Sequence, residues 1–159
     1  MQEILVPADR IGVFNRSAIE AIEKESGIRL ERSGCLLIVS GEGVEAYQAA
    51  LAVKAIARGF APVRAMKILK GMQLEIIEIG GSENQVKRIK SRIIGTNGKA
   101  RRRLEYLSDC MVSVYGNTVS LIGPPEKIIC AKKAIEMIIK GSNHNTAYIF
   151  LERQNELAL

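Results

Sequence analysis

Residues 91–105 read Ser-Arg-Ile-Ile-Gly-Thr-Asn-Gly-Lys-Ala-Arg-Arg-Arg-Leu-Glu, which sets two glycines and five basic side chains within fifteen positions. Gly95 and Gly98 carry no Cβ, so a bulky polymer backbone can approach the main chain there. The amides of Thr96, Asn97, Gly98 and Lys99 open a helix, and a helix N-terminus favours an anion. The chemistry this pattern supports is phosphate contact. A nucleotide-hydrolysing P-loop needs glycine five residues before Gly98, where Ile93 stands, and serine or threonine after Lys99, where Ala100 stands. It also needs a strand ahead of the loop, and the pattern there is helical.

No other group of residues has the spacing of a catalytic site. His144 is the only histidine, flanked by Asn143 and Asn145 with no triad partner in the pattern, which suggests a structural role at a helix entry or a protein contact. Glu23 and Glu25 are two apart on a helix and face different ways, so they form no acid–base couple. Ser17 and Ser26 have no neighbouring base. Cys35, Cys110 and Cys130 are odd in number, far apart and outside any Cys-x-x-Cys spacing. They read as buried small hydrophobes in a reducing compartment, not as zinc ligands or a disulfide framework. The expectation is a chain with no catalytic residues, no metal and no cofactor.

Charge points to the kind of anion. The chain of 159 residues carries a formal net charge of +6, with a pI near 9.4. Between Glu83 and Glu105 there is no acid but there are eight basic residues: Lys87, Arg88, Lys90, Arg92, Lys99, Arg101, Arg102 and Arg103. That local excess is larger than the net charge of the whole chain, so a polyanionic partner is expected at this segment. A solvated helix face is the competing reading, and it stays open for Lys87 and Arg88. No apolar run approaches the ~20 residues of a membrane span. The N-terminus lacks the form of a secretory signal, which makes the cytoplasm the expected location.

The elements that must position this segment emerge from an internal repeat. Shifted by 82 residues, positions 10–59 match the chain itself at twelve residues, among them Arg10/Arg92, Ile11/Ile93, Asn15/Asn97, Glu23/Glu105, Ser26/Ser108, Gly41/Gly123 and Ile56/Ile138. Chance gives about three at ~6% residue usage. The second copy predicts a strand over 72–79 and a helix over 83–94 with Val86, Ile89, Ile93 and Ile94 at helical spacing. After the Gly-x-x-Gly turn come a helix through Leu104 and Leu107, a hairpin of 111–116 and 118–123 about Asn117, and a helix opened by Pro124-Pro125 and closed by Gly141. A final helix from Thr146 to Leu157 is predicted with Asn145 as its cap. The first copy is compressed: a short strand, a helix over 16–26, a hairpin across Ser33-Gly34 and a helix ended by Gly59. One helix over 61–70 then joins the copies. Where the second copy has its glycine turn, the first has Val13, Phe14, Asn15 and Arg16, without either glycine.

Strand, helix, Gly-x-x-Gly, helix, hairpin and helix over 72–141, with "IIGTNGKARRRLE" at the turn, resembles the type I KH domain. The resemblance implies an α+β fold of two tandem KH-like units, each a three-stranded antiparallel sheet packed on helices, the first degenerate. The predicted boundaries are 1–71, which includes the connecting helix, and 72–159. It also implies clamping of about four nucleotides of single-stranded RNA at the turn, with bases along an apolar groove. On this chain the implied contacts are Arg92, Ile93, Ile94, Gly95, Thr96, Asn97, Gly98, Lys99, Arg101, Arg102, Arg103, Val112 and Val114. The tandem arrangement, the joining segment "GFAPVRAMKIL" and the tail "GSNHNTAYIFLER" are similar to the archaeal partner-of-Nob type of small-ribosomal-subunit assembly protein. That family implies non-catalytic binding of small-subunit ribosomal RNA near its 3′ end during maturation. It implies contact with an assembly endonuclease of the Nob type and with the alpha subunit of archaeal initiation factor two. The alternative is a protein-interaction adaptor whose KH surface is vestigial.

Overall fold

The computed structural model describes residues 1–158. The chain separates into two compact units, which divide after Leu74. Each unit carries one three-stranded antiparallel sheet with the last strand in sequence order at its centre.

In the first unit β1 (Gln2–Leu5) and β2 (Arg29–Ser33) flank β3 (Leu36–Ser40), with Ile4 opposite Leu37 and Leu30 opposite Val39. Helices α1 (Arg16–Ser26), α2 (Gly43–Ala57) and α3 (Pro62–Ala65) cover it, and Phe14, Ile22, Leu37, Ile56 and Ile68 are fully buried. The segment expected to be one joining helix is α-helical only to Ala65 and continues as a 3-10 helix over Met66–Lys70. The tighter winding eclipses residues three apart, and it puts Ala65 and Ile68 together in the core.

In the second unit β4 (Gln73–Glu78), β5 (Met111–Tyr115) and β6 (Thr118–Gly123) form the sheet. Its helices are α4 (Glu83–Ile94), α5 (Lys99–Ser108), α6 (Pro125–Ile139) and α7 (His144–Leu157). Val86, Ile93, Leu104, Leu107, Val119, Leu121, Ile135 and Leu151 fill one continuous core between them. Helix α4 starts on a capping box, with Ser82 accepting from the Gln85 amide and the Gln85 side chain accepting from the Ser82 amide. Helix α7 starts two residues earlier than expected. Its cap is Asn143, not Asn145, because the Asn143 Oδ1 reaches the Thr146 amide at 2.8 Å.

The repeat is visible atom by atom. Arg10 donates to the carbonyls of Ile56 and Phe60 at 2.9 and 2.8 Å, and Arg92 donates to those of Ile138 and Ser142 at 2.9 and 2.5 Å. A Glu23 carboxylate oxygen accepts from the Leu30 amide at 2.8 Å, and Glu105 accepts from Val112 at 2.9 Å. Ser26 and Ser108 each donate back to the carbonyl four residues earlier, at 2.6 Å. Every one of these partners is shifted by the same 82 positions. The units part company ahead of α1 and α5. The second unit has the whole of α4 there, whereas the first has only a 3-10 turn, Ile11–Val13.

Candidate nucleic-acid interface

The turn between α4 and α5 is built from left-handed residues. Gly95, Asn97 and Gly98 have φ of 72°, 55° and 74°. A Cβ at Gly95 would stand 2.7 Å from the Ala100 Cβ and 2.9 Å from the Ala100 nitrogen, so the chain can fold back this tightly only without one. Asparagine is among the few other residues that tolerate this region, which accounts for Asn97. Thr96 and Asn97 are exposed at the tip. Gly98 is the N-cap of α5 and offers no side chain to the first-turn amides; the Gly98 amide donates to the Gly95 carbonyl at 3.3 Å and the Lys99 amide to that of Thr96. In the first unit the aligned asparagine, Asn15, caps α1 itself by accepting from the Ala18 amide at 2.9 Å. That helix start is satisfied internally, and its turn residue Phe14 is buried.

The cations divide into two sets. Arg92 spends its guanidinium on the last carbonyls of α6 and on Ser142, and its own carbonyl is bonded to His144 Nε2 at 2.6 Å. Arg103 lies 5.7 Å from the Tyr148 ring centroid and 3.4 Å from Glu152, both on α7. The Tyr148 hydroxyl is pushed up in pKa by burial, and the nearby Arg103 charge opposes that. Arg101 is 3.5 Å from Glu105 and 3.5 Å from the Val112 carbonyl. By contrast, among the described residues Lys87, Arg88, Lys90, Lys99 and Arg102 form no ion pair. Arg102 extends beside the turn, with Nη1 3.2 Å from where a Gly98 Cβ would be.

The apolar candidates divide as well. Ile93 is 0% exposed and Val112 is 2% exposed, so both side chains belong to the core and not to a groove surface. Ile94 and Val114 are half-buried and remain at the surface. β5 is an edge strand, and pairing alternates along it, so the Val112 and Val114 main-chain groups point off the outer edge. The Val112 amide is already taken by Glu105 and its carbonyl faces Arg101. Three of the expected contacts therefore leave the interface by their side chains: Arg92, because the end of α6 needs donors, and Ile93 and Val112, because their helix and strand faces point inward. Lys99 and Arg102 stay with the turn.

Glu105 is the residue that charge-pattern reading passes over. Its identity with Glu23 carried the signal, since a carboxylate kept in both copies serves what both copies share, the link from helix to edge strand. The same test would have reassigned Arg92 and Ile93, which match Arg10 and Ile11. Lys99 and Arg102 have Ser17 and Glu20 as counterparts, so they belong to what only the second copy has.

A sheet with its edge strand beside a glycine turn, between two helices and ahead of an uncapped helix start, defines a type I KH unit. Residues 72–156 match the family described as Eukaryotic type KH-domain (KH-domain type I), in the form typical of the second KH domain of PNO1. KH domain-containing protein MJ0443 of Methanocaldococcus jannaschii is 39% identical over 168 residues, spanning 97% of this chain and 74% of that protein. The crystal structure of Dim2p from Pyrococcus horikoshii OT3 superposes with a TM-score of 0.85 at 36% identity, over 96% of this chain and 98% of that one. A chain of the a/eIF2alpha-aDim2p-rRNA complex from the same organism does so with a TM-score of 0.87 at 35% identity, over 98% and 93%. The chain belongs to the PNO1-type KH-domain family, whose relatives here are archaeal.

Proposed function

We propose that this chain is a non-catalytic RNA-binding factor of small-ribosomal-subunit maturation, which clamps a single strand at Gly95–Gly98. The observation that carries the reading is the turn itself. Three left-handed residues bare the main chain at an exposed tip, the helix start behind it carries no side-chain cap, and Lys99 and Arg102 stand beside it free of ion pairs. Charge-assisted contacts to phosphates supply much of the affinity, and the main chain at the turn supplies orientation. Thr96 and Asn97 present the turn amides, and Ile94 and Val114 border the bases. The related Pyrococcus protein forms a complex with ribosomal RNA and a/eIF2alpha, which supports ribosomal RNA as the ligand class. The 3′ region of small-subunit RNA, the initiation factor alpha subunit and a Nob-type endonuclease are the partners this reading assigns, in the cytoplasm.

Gly98→Asp tests the site. Asp109 already holds φ 56° in this chain, so aspartate is compatible with the left-handed backbone at Gly98. The new carboxylate would face the helix start and draw in Arg102. The expected result is an unchanged thermal midpoint with at least tenfold weaker binding of a single-stranded RNA. Undiminished binding by the folded variant would refute the assignment.

The presence of a/eIF2alpha in the Pyrococcus complex favours a second reading, a protein adaptor. Binding of purified initiation factor alpha subunit at equal strength with and without RNA, together with no RNA binding by the chain alone, would establish that reading instead.

A further inference from the structure

The free cations extend past the turn. On α4, Val86, Ile89 and Ile93 point into the unit, and Arg92 leaves on the flank that faces the end of α6. At 100° per residue the opposite flank is Lys90, Ile94 and Lys87, in positions i+3, i+7 and i. Ile94 is the half-buried residue that leads into Gly95, so this flank runs straight onto the turn. From Lys87 to Ile94 is about 10 Å along the helix axis, at 1.5 Å per residue. Arg88 lies a further step round, toward the flank of Arg92.

Two features separate this stripe from an ordinary solvated helix face. Such a face is usually laced with pairs four apart, as in Arg16–Glu20 on α1 at 2.9 Å. On α4 the only acid is Glu83, four residues before Lys87, and the two form no ion pair. Second, the positive end of α4 is closed by its own Ser82–Gln85 capping box, so the helix start offers no anion site to which the lysines would be subsidiary. The charge sits along the flank, and Ile94 joins it to the turn, which Lys99 follows in sequence and Arg102 stands beside.

We infer that Lys87 and Lys90 form a second phosphate-contacting track, which holds the RNA backbone just beyond the nucleotides clamped at Gly95–Gly98. This rests on the RNA-binding reading above. The ligand class is a run of backbone phosphates continuous with the clamped strand, contacted without base selectivity. The chain then reads a short segment at the turn but holds a longer one. Glu83 bounds the track at its far end.

Length dependence tests it. Binding of a 5-nucleotide and a 12-nucleotide single-stranded RNA is measured at several salt concentrations for the wild-type chain, Lys87→Ala/Lys90→Ala and Arg88→Ala. The expected result is that wild type gains affinity with length and that the double variant loses that gain while binding the 5-mer as before. Its log–log salt slope for the 12-mer is then shallower by about 1.4, two contacts at ~0.7 each, and Arg88→Ala shifts the slope by less than half as much. Equal 12-mer binding by the double variant and wild type overturns the track and leaves the turn intact. An equal loss in Arg88→Ala also overturns it, since general charge and not a lane would then be acting. If wild type binds neither RNA, the turn reading fails first and the track with it.

Discussion

Arg92 shows how one residue type serves two ends within a dozen positions. Its guanidinium reaches two carbonyls at the close of α6, a fork that lysine's single ammonium cannot reproduce. A hydrogen bond from a charged donor contributes about 1.5–3 kcal/mol where it is shielded. Arg92→Ala and Arg92→Lys are therefore both expected to destabilise the second unit, by roughly 2 kcal/mol at partial exposure. The salt slope of RNA binding by the folded fraction should not change in either. Thermal denaturation beside a salt titration checks this, and a shallower slope with an unchanged melting point would return Arg92 to the interface. Glu105 makes the complementary case. Its carboxylate holds the Val112 amide at the strand edge, so Glu105→Ala should free that edge amide. Selection from randomised pentanucleotides should then show a changed base preference, and an identical preference would mean that the Val112 edge takes no part in reading.

At the scale of elements, α5 and β5 meet where Gly123 passes Cys110. A Cβ on Gly123 would overlap the Cys110 sulfur, and in the first unit Gly41 passes Ile28 in the same register, 3.0 Å from its Cδ1. Gly123→Ala should cost about 1–3 kcal/mol by overpacking, measurable as a lowered denaturant midpoint. Burial of Cys110, followed by the charge of Asp109, raises its thiol from 9.0 to about 11. The neutral thiol is the favoured folded form. Its contribution to stability is thus present below pH 9 and is lost as pH rises toward 11. At pH 8 alkylation should mark the half-buried Cys35 and Cys130 and spare Cys110 until the chain unfolds, as mass spectrometry of native and denatured samples would show. Comparable native labelling of all three would contradict that burial. The elements themselves were largely legible, because helix and strand periods, the two prolines that open a helix and the glycine turn are local signals. The cap of α7 was not. Ser142, Asn143 and Asn145 are all capping residue types, and what fixes the helix start is His144 meeting the Arg92 carbonyl, 52 positions away in sequence. The joining segment misled for a related reason, since its 3-10 winding serves the burial of Ile68 and no helix propensity expresses that.

For the molecule as a whole, the duplication separates scaffold from site. Among what the two units share at 82-residue spacing, Arg10/Arg92, Glu23/Glu105, Ser26/Ser108 and Ile11/Ile93 are bonded or buried, while Asn15/Asn97 caps a helix in one unit and stands exposed in the turn of the other. What they do not share is α4, the glycine turn, Lys99 and Arg102. Sequence alone counted eight cations here, and the structure assigns three of them to internal contacts and leaves five free of ion pairs. The two counts give different electrostatics. Arg88 lies off the track, so with ~0.7 counterions released per phosphate on a single strand the other four give a log–log salt slope of about −2.8, and all eight would give about −5.6. The expected value for a 12-nucleotide RNA is the shallower one, and Lys99→Ala/Arg102→Ala should reduce it by about 1.4. A slope near −5.6 that persists in Arg101→Ala/Arg103→Ala would mean that phosphates are met elsewhere, with the first unit, where Asn15 closes the helix start and Glu20 replaces Arg102, as the surface to search. A slope near −4.2, as six contacts give, that falls in Arg101→Ala/Arg103→Ala would mean that those two arginines leave Glu105 and Glu152 when RNA arrives.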